Sequence, residues 1–257
     1  MDNPIIDAML RRRSVRKYKP DQPTDEVIAA IVRAGQQAPF ASQMYSVLLS
    51  RHKKAPFSAP LWFTICVDSY KIERFMARRG WKMITNDVQM LIFGIQDAAY
   101  MAENMVMAAE SLGLGSCFLG SVPYFAEKVA KQFKLPKRVF PLVGLVMGYP
   151  AEEFPPRPRF PLEFTLFEDQ YPELSDEQVD AAMKVMDEGY LAQEYYRKLR
   201  AKIRLENDRP ETFTYDDYSW TEHISRKWGQ WNTDPEELLE QLRLRGFDFT
   251  TNKEKSS

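Results

Sequence analysis

The sequence predicts a chain of mixed helices and strands that ends in a helical extension. Three observations carry this. Four short runs rich in β-branched and aromatic residues alternate with segments bearing helix caps. One central segment, DAAYMAENMVMAAESL from Asp97 to Leu112, is helix-forming and apolar on nearly every face. After Pro150 the texture changes to a proline-rich arm followed by polar, aromatic helical sequence.

The elements follow in order. Asn3 caps a first short helix, Pro4 suits its first turn, and Ile5, Ile6, Met9 and Leu10 form its apolar stripe. It runs into a basic block that ends at Lys19-Pro20. Thr24 caps a second helix, with Asp25 and Glu26 at the positive end of its dipole and an apolar face of Val27, Ile28, Ile31 and Val32 that stops before Pro39. Tyr45 to Leu49 and Leu61 to Val67 read as strands, joined by the short loop RHKKAPFSAP. The Asp97–Leu112 helix must be covered all round, by its own domain and by a partner subunit, and Gly113 or Gly115 provides its left-handed cap. Met101, Met105 and Met107 read as core. Ser116 to Leu119 is a strand, Ser121 and Pro123 open an amphipathic helix through Phe133, and FPLVGLVMGYP from Phe140 is a buried strand. AEEFPPRPRFPLE is a connecting arm. A Ser175…Gln178 capping box opens a helix expected to reach about Arg204. Asp234, Pro235 and Gly246 bracket the last helix, and the chain after Asn252 is expected to fray. Residues 1–165 are read as a core and residues 166–257 as an extension of the same domain, with Tyr195, Tyr196 and Trp220 as packing residues.

Charge excludes some functions. Lys and Arg number 35 against 36 Asp and Glu in 257 residues, a net charge of -1, so no global field draws the protein to nucleic acid or membrane. No stretch approaches the ~18 apolar residues of a spanning helix, and the N-terminal apolar residues precede the charges, the reverse of a secretory signal. A soluble cytoplasmic protein is expected. Cys66 and Cys117 lie in apolar runs and read as buried reduced thiols. The only histidines, His52 and His223, are far apart, and no zinc spacing, Walker loop, dinucleotide fingerprint or nucleophile elbow occurs. An enzyme built on this chain takes its reactive group from a cofactor.

The sharpest local feature is RRRSVRKYK, Arg11 to Lys19, with six basic residues in nine. It can be a solvated charged stretch, a phosphoanion- or nucleic-acid-binding patch, or a phosphate site. In an extended segment Arg12, Ser14 and Arg16 point to one side, and forked guanidiniums with a hydroxyl suit a phosphate monoester. A second alternating pair, Arg157 and Arg159 in PPRPRFP, is stiffened by prolines.

These motifs together, with APFASQ at Ala38 to Gln43, DAAYMAENMVMAAESLGLGSCFLGS, PLVGLVMGYP, EYYRK, YSWTEHI and LRLRGF, resemble the FMN-dependent nitroreductase family. The tail resembles its subgroup of the major oxygen-insensitive nitroreductase and NADPH flavin reductases. The resemblance implies an α+β fold, a mixed sheet flanked by helices, and a homodimer with FMN at the subunit interface and the C-terminal extension packed on the partner. It implies that Arg12, Arg13, Ser14 and Arg16 hold the FMN phosphate, joined by Arg157 and Arg159. It places Ala41, Ser42 and Gln43 against flavin from the other subunit and Leu119, Gly120 and Ser121 along the ring. Lys53 and Lys54 stand where family residues contact the ring edge. The implied activity is ping-pong hydride transfer from NAD(P)H to a nitroaromatic, quinone or flavin acceptor, with no catalytic side chain. The rivals are an ene-type reductase on the same scaffold and a non-enzymatic binder using the basic block.

Overall fold

The computed structural model describes residues 3–51 and 54–250; His52, Lys53 and the end of the chain expected to fray lie outside the described residues. Contacts divide the chain into two compact units, Met1–Phe154 with Asp234–Ser257, and Pro155–Thr233.

In the first unit, α1 (Pro4–Arg11) begins where the Asn3 side chain accepts the N–H groups of Ile5 and Ile6 at 3.0 and 3.2 Å. Helix α2 (Asp25–Gln36) is capped by Thr24, whose hydroxyl accepts from the Val27 N–H. There follow β1 (Tyr45–Ser50), β2 (Leu61–Asp68), α3 (Tyr70–Arg78), α4 (Asp87–Ser111), β3 (Gly115–Leu119), α5 (Ala126–Phe133) and β4 (Val139–Gly148). The sheet order is β1-β2-β4-β3, and every pair of named strands is antiparallel. A parallel bridge joins Ser14 to Ser116 of β3. Pro141 lies in a central strand, where a missing N–H is normally excluded. It is tolerated because the β2–β4 register shifts between Ile65 and Cys66, the residue it faces.

The core forms between this sheet and α4. Ala98, Met101, Ala102, Met105, Val106 and Ala109 pack with Phe63, Ile65, Leu145 and Met147 of the sheet and with Ile28 and Ile31 of α2. Gly113, at φ +78°, turns the chain out of α4 as its left-handed cap requires. Helix α4 starts at Asp87, upstream of the expected Asp97, with the Asn86 side chain accepting the Gln89 N–H at 2.9 Å. Gly94 interrupts its helical propensity but allows close packing, since a Cβ there would lie 2.4 Å from Val67 Cγ1. A Gly94→Ala variant is therefore expected to lose about 1–2 kcal/mol, overpacking outweighing the helix-propensity gain. The urea midpoint reads this; an unchanged or higher midpoint would contradict the close contact. Helix α3 carries no side-chain cap bond and buries none of its residues, so neither signal marked it in the sequence.

In the second unit, α6 (Asp176–Ala192) has the expected capping box, with the Gln178 N–H donating to Ser175 Oγ and the Ser175 N–H to Gln178 Oε1. It does not continue to Arg204. Glu194 and Arg200 adopt left-handed φ values of 49° and 50°, isolating α7 (Tyr195–Leu199). The strain of such positions, about 1–3 kcal/mol each, is offset by burying Tyr196 among Tyr190, Tyr218 and His223. Helix α8 (Trp220–Gln230) completes the unit, and its buried Arg226 makes paired bonds to Glu211 at 2.7 and 2.8 Å and one to Glu222 at 2.6 Å.

Helix α9 (Pro235–Leu244) returns to the first unit, capped by Asp234, which accepts the Glu236 N–H at 2.9 Å. Leu242 and Phe247 join Val67, Ala126 and Phe140 in a second cluster. The buried Arg245 donates to Val139 O and Leu135 O at 3.1 Å, to Pro136 O and to Glu127 at 3.0 Å. These contacts join residues 234–250 to the first unit.

Candidate cofactor site

The basic block leaves α1 at Arg12 and runs extended beside β3. The Val15 N–H donates to Ser116 O at 2.8 Å, the Lys19 N–H to Tyr149 O at 2.8 Å, and the Ala151 N–H to Lys17 O at 3.0 Å. Tyr18 donates its hydroxyl to Val15 O at 2.6 Å. Along it Val15 is buried, Arg12, Arg13, Ser14 and Arg16 are half-buried, and Lys17 and Lys19 face solvent.

The Cys117 thiol of β3 lies in the electrostatic neighbourhood of this segment. Burial pushes that thiol up, and Arg16, a hydrogen bond with Ser14, and Arg12 draw it back. Among the described residues, none of Arg12, Arg13 and Arg16 joins an ion pair, whereas Lys17 pairs with Glu152 at 3.2 Å. Arg13 lies over the Phe154 ring at 5.7 Å, and its Nε is buried without a hydrogen-bond partner. Ser116, 0% exposed, has an unpartnered hydroxyl, as does one oxygen of Glu110. Burial raises the Glu110 carboxyl above its usual range, while Arg13 and Arg12 oppose this. The guanidiniums that join no ion pair, with the Ser14 and Ser116 hydroxyls, are donors of the kind a phosphate monoester takes, and they make this segment the candidate phosphate cradle; the Glu110 carboxyl is not one of those donors.

Beyond the cradle, β3 is an edge strand. It runs through half-buried Leu119 to exposed Gly120 and Ser121, and a Cβ on Gly120 would meet nothing within 4 Å. That leaves open backbone against which a flat ring can lie.

The loop Ala41–Gln43 exposes all three side chains, and Gln43 has φ +53°. Asp97 of α4, 1% exposed, holds it from inside. The Ala41 N–H donates to Asp97 Oδ1 at 2.6 Å, and the N–H groups of Ser42 and Met44 donate to Oδ2 at 3.0 and 2.9 Å. Sequence reasoning did not single out Asp97. The available signal was a carboxylate at the head of an otherwise apolar helical stretch.

Arg157 and Arg159 belong to the second unit. Arg157 donates to Gln193 and stacks 3.9 Å over Tyr195. Arg159 donates to the carbonyls of Arg157 and Pro158 at 3.1 and 3.0 Å. That unit also contains a cavity of about 220 Å³ lined by Phe160, Phe164, Met183, Trp220 and Ile224, with no charged side chain to hold a phosphate. Among the described residues no group of three or more His, Cys, Asp or Glu is placed to bind a metal ion.

The profile of the Nitroreductase family matches residues 9–53 and 49–149, a span containing the cradle, the Ala41 loop and β3. The chain belongs to the nitroreductase family. Membership makes it an oxidoreductase. This nitroreductase-family chain is 30% identical over 183 residues to the CR(VI) reductase of Pseudomonas sp. (strain G-1), covering 65% of this chain and 75% of that protein. It is 29% identical to the oxygen-insensitive NADPH nitroreductase of Salmonella typhimurium, over 87% and 90% of the two chains. With the FMN reductase (NADPH) of Bacillus subtilis the identity is 28%, over 82% and 89%. Among solved structures, B. megaterium NfrA1 superposes with a TM-score of 0.80 at 26% identity, covering 95% of this chain and 99% of that one.

Proposed function

We propose that the protein is an FMN-dependent NAD(P)H oxidoreductase reducing nitroaromatic, quinone or flavin acceptors, and that it works as a homodimer. The observation that carries this is that Arg12, Arg13 and Arg16, which join no ion pair among the described residues, lie on one segment held beside β3 by the Val15 N–H to Ser116 O bond. Relatives named as FMN and NADPH reductases support the cofactor and the donor.

Bound FMN supplies the hydride-accepting centre that the side chains lack. The protein's part is binding and orientation. Arg12 and Arg16 neutralise the phosphate dianion and Ser14 donates to it, on a segment fixed by buried Val15 and by the Tyr18 hydroxyl. Gly120 lets the ring approach the strand, and half-buried Leu119 gives it an apolar neighbour. No side chain is required to transfer a proton. Ala41, Ser42 and Gln43 are assigned to the cofactor of the other subunit.

Dimerisation is supported by large apolar side chains left uncovered on α1 and α4, among them Leu10 at 71% and Ile92 at 51% exposure. Among the described residues no helix is long and apolar enough to cross a membrane. A cytoplasmic location is part of the proposal, supported by the buried, unpaired Cys66 and Cys117.

The visible spectrum tests the reading. The purified protein is expected to show oxidised-flavin absorbance, to bleach with anaerobic NADPH and to recover on adding a nitroaromatic or quinone, with light scattering giving the mass of two chains. A colourless protein that takes up no added FMN would overturn it.

A further inference from the structure

We propose that Asp97 is the positioning residue of the cofactor-facing loop, and that it holds Ala41, Ser42 and Gln43 in their working arrangement before any cofactor binds. The inference rests on the FMN reading above. Its argument is geometric. A nearly fully buried carboxylate on α4 receives three backbone N–H groups from a single turn of loop, one on Oδ1 and two on Oδ2. Both oxygens are therefore used, and the N–H groups of Ala41 and Ser42 are aimed into the protein. Their side chains and that of Gln43 are left facing outward, with Gln43 in a left-handed conformation that the neighbouring bonds maintain. Immediately downstream, Met44 and Tyr45 are buried, and the Asp68 N–H donates to Met44 O at 2.9 Å. The loop is thus pinned at both ends of a short outward-facing segment. Asp97 itself sits among core residues of α4, beside Ala98 and one turn from Met101, so its carboxylate cannot swing to solvent without opening the core.

The chemistry makes the acid specific. Asparagine has the same shape but one acceptor oxygen, and its amide would present N–H to N–H at one or more of the three positions. Buried N–H groups left without acceptors favour another loop path. A loop preset in this way binds its ligand without first being ordered.

The test compares full-length wild type, Asp97→Asn and a core control, Ile65→Val, each stripped of FMN and reconstituted. Wild type is measured first: failure to bind FMN overturns the FMN reading itself, independently of Asp97. With wild type binding, Asp97→Asn is expected to raise the FMN dissociation constant about tenfold. At saturating FMN it is also expected to change the visible circular dichroism of the flavin and to raise the NADPH KM more than it changes kcat. Ile65→Val is expected to lower the apoprotein melting temperature without altering any of these. Equal dissociation constants and spectra for Asp97→Asn and wild type would overturn the proposal, as would the same changes in Ile65→Val. Hydrogen exchange on wild type removes dependence on the variant folding. The amides of Ala41, Ser42 and Met44 are expected to be protected in the FMN-free protein to the same degree as in the loaded one; rapid exchange there without FMN would overturn the presetting.

Discussion

Replacing Arg12 and Arg16 together with alanine is expected to weaken FMN binding by roughly a hundredfold to ten-thousandfold while the protein stays folded. Charge-assisted hydrogen bonds contribute about 1.5–3 kcal/mol each, and every 1.4 kcal/mol is a factor of about ten. Neither guanidinium joins an ion pair among the described residues, so their removal breaks no salt bridge there. Burial pushes the Glu110 carboxyl up, and without Arg12 it loses one of the charges that oppose this. Fluorescence titration of the apoprotein measures the constant, and thermal melting checks the fold. Exposed Lys17 and Lys19 serve as the comparison: alanine at either should change the constant by less than about threefold. If the double arginine variant held FMN as tightly as the lysine variants, the cradle would not be the phosphate site.

The largest stability effect is expected at Arg245. Its guanidinium is buried and donates to three carbonyls of the 135–139 segment and to Glu127, tying the end of α9 to α5 and β4. Methionine in its place keeps most of the volume but strands those acceptors in the interior, a loss of about 3 kcal/mol. For a chain of this size that lowers the melting temperature by roughly 6–12 °C. The neighbouring Arg138, bonded to Asp87 at 2.6 and 2.8 Å and to Glu73, and lying 4.6 Å over Phe247, braces the same junction. Arg245→Met should therefore lower the melting temperature of the first unit. A melting curve within 2 °C of wild type, an interval well below the expected ~6 °C shift, would show that the carbonyls find other donors.

The caps and the extended basic segment of the candidate site were legible in the chain because they depend on local rules. The caps at Asn3, Thr24, Ser175 and Asp234 each satisfy orphan N–H groups within three residues, so sequence spacing alone locates them. The alternation of Arg12, Ser14 and Arg16 around a buried Val15 is likewise a property of extended backbone. What was not legible depends on partners remote in sequence. Asp97 acquires its role only because residues 41–44 lie beneath it, more than fifty positions away. The helix expected to reach Arg204 breaks because Tyr196 is better buried against Tyr190, Tyr218 and His223 than left on a continuous helical surface. Helix α3 went unread because, without a side-chain cap or a buried face, it bears neither local signature.

The order of residues by itself determined the alternation of Arg12, Ser14 and Arg16 (the candidate phosphate set), the element types around it, and the family resemblance those motifs carry. Tertiary structure alone decided that the basic segment lies beside β3, that a buried carboxylate holds the Ala41 loop, and that the last helix rejoins the first unit through Arg245. The reason is the reach of the interactions: caps and alternation act over a few residues, whereas burial and satisfaction of a carboxylate or guanidinium depend on which distant backbone the folded core brings within hydrogen-bonding distance.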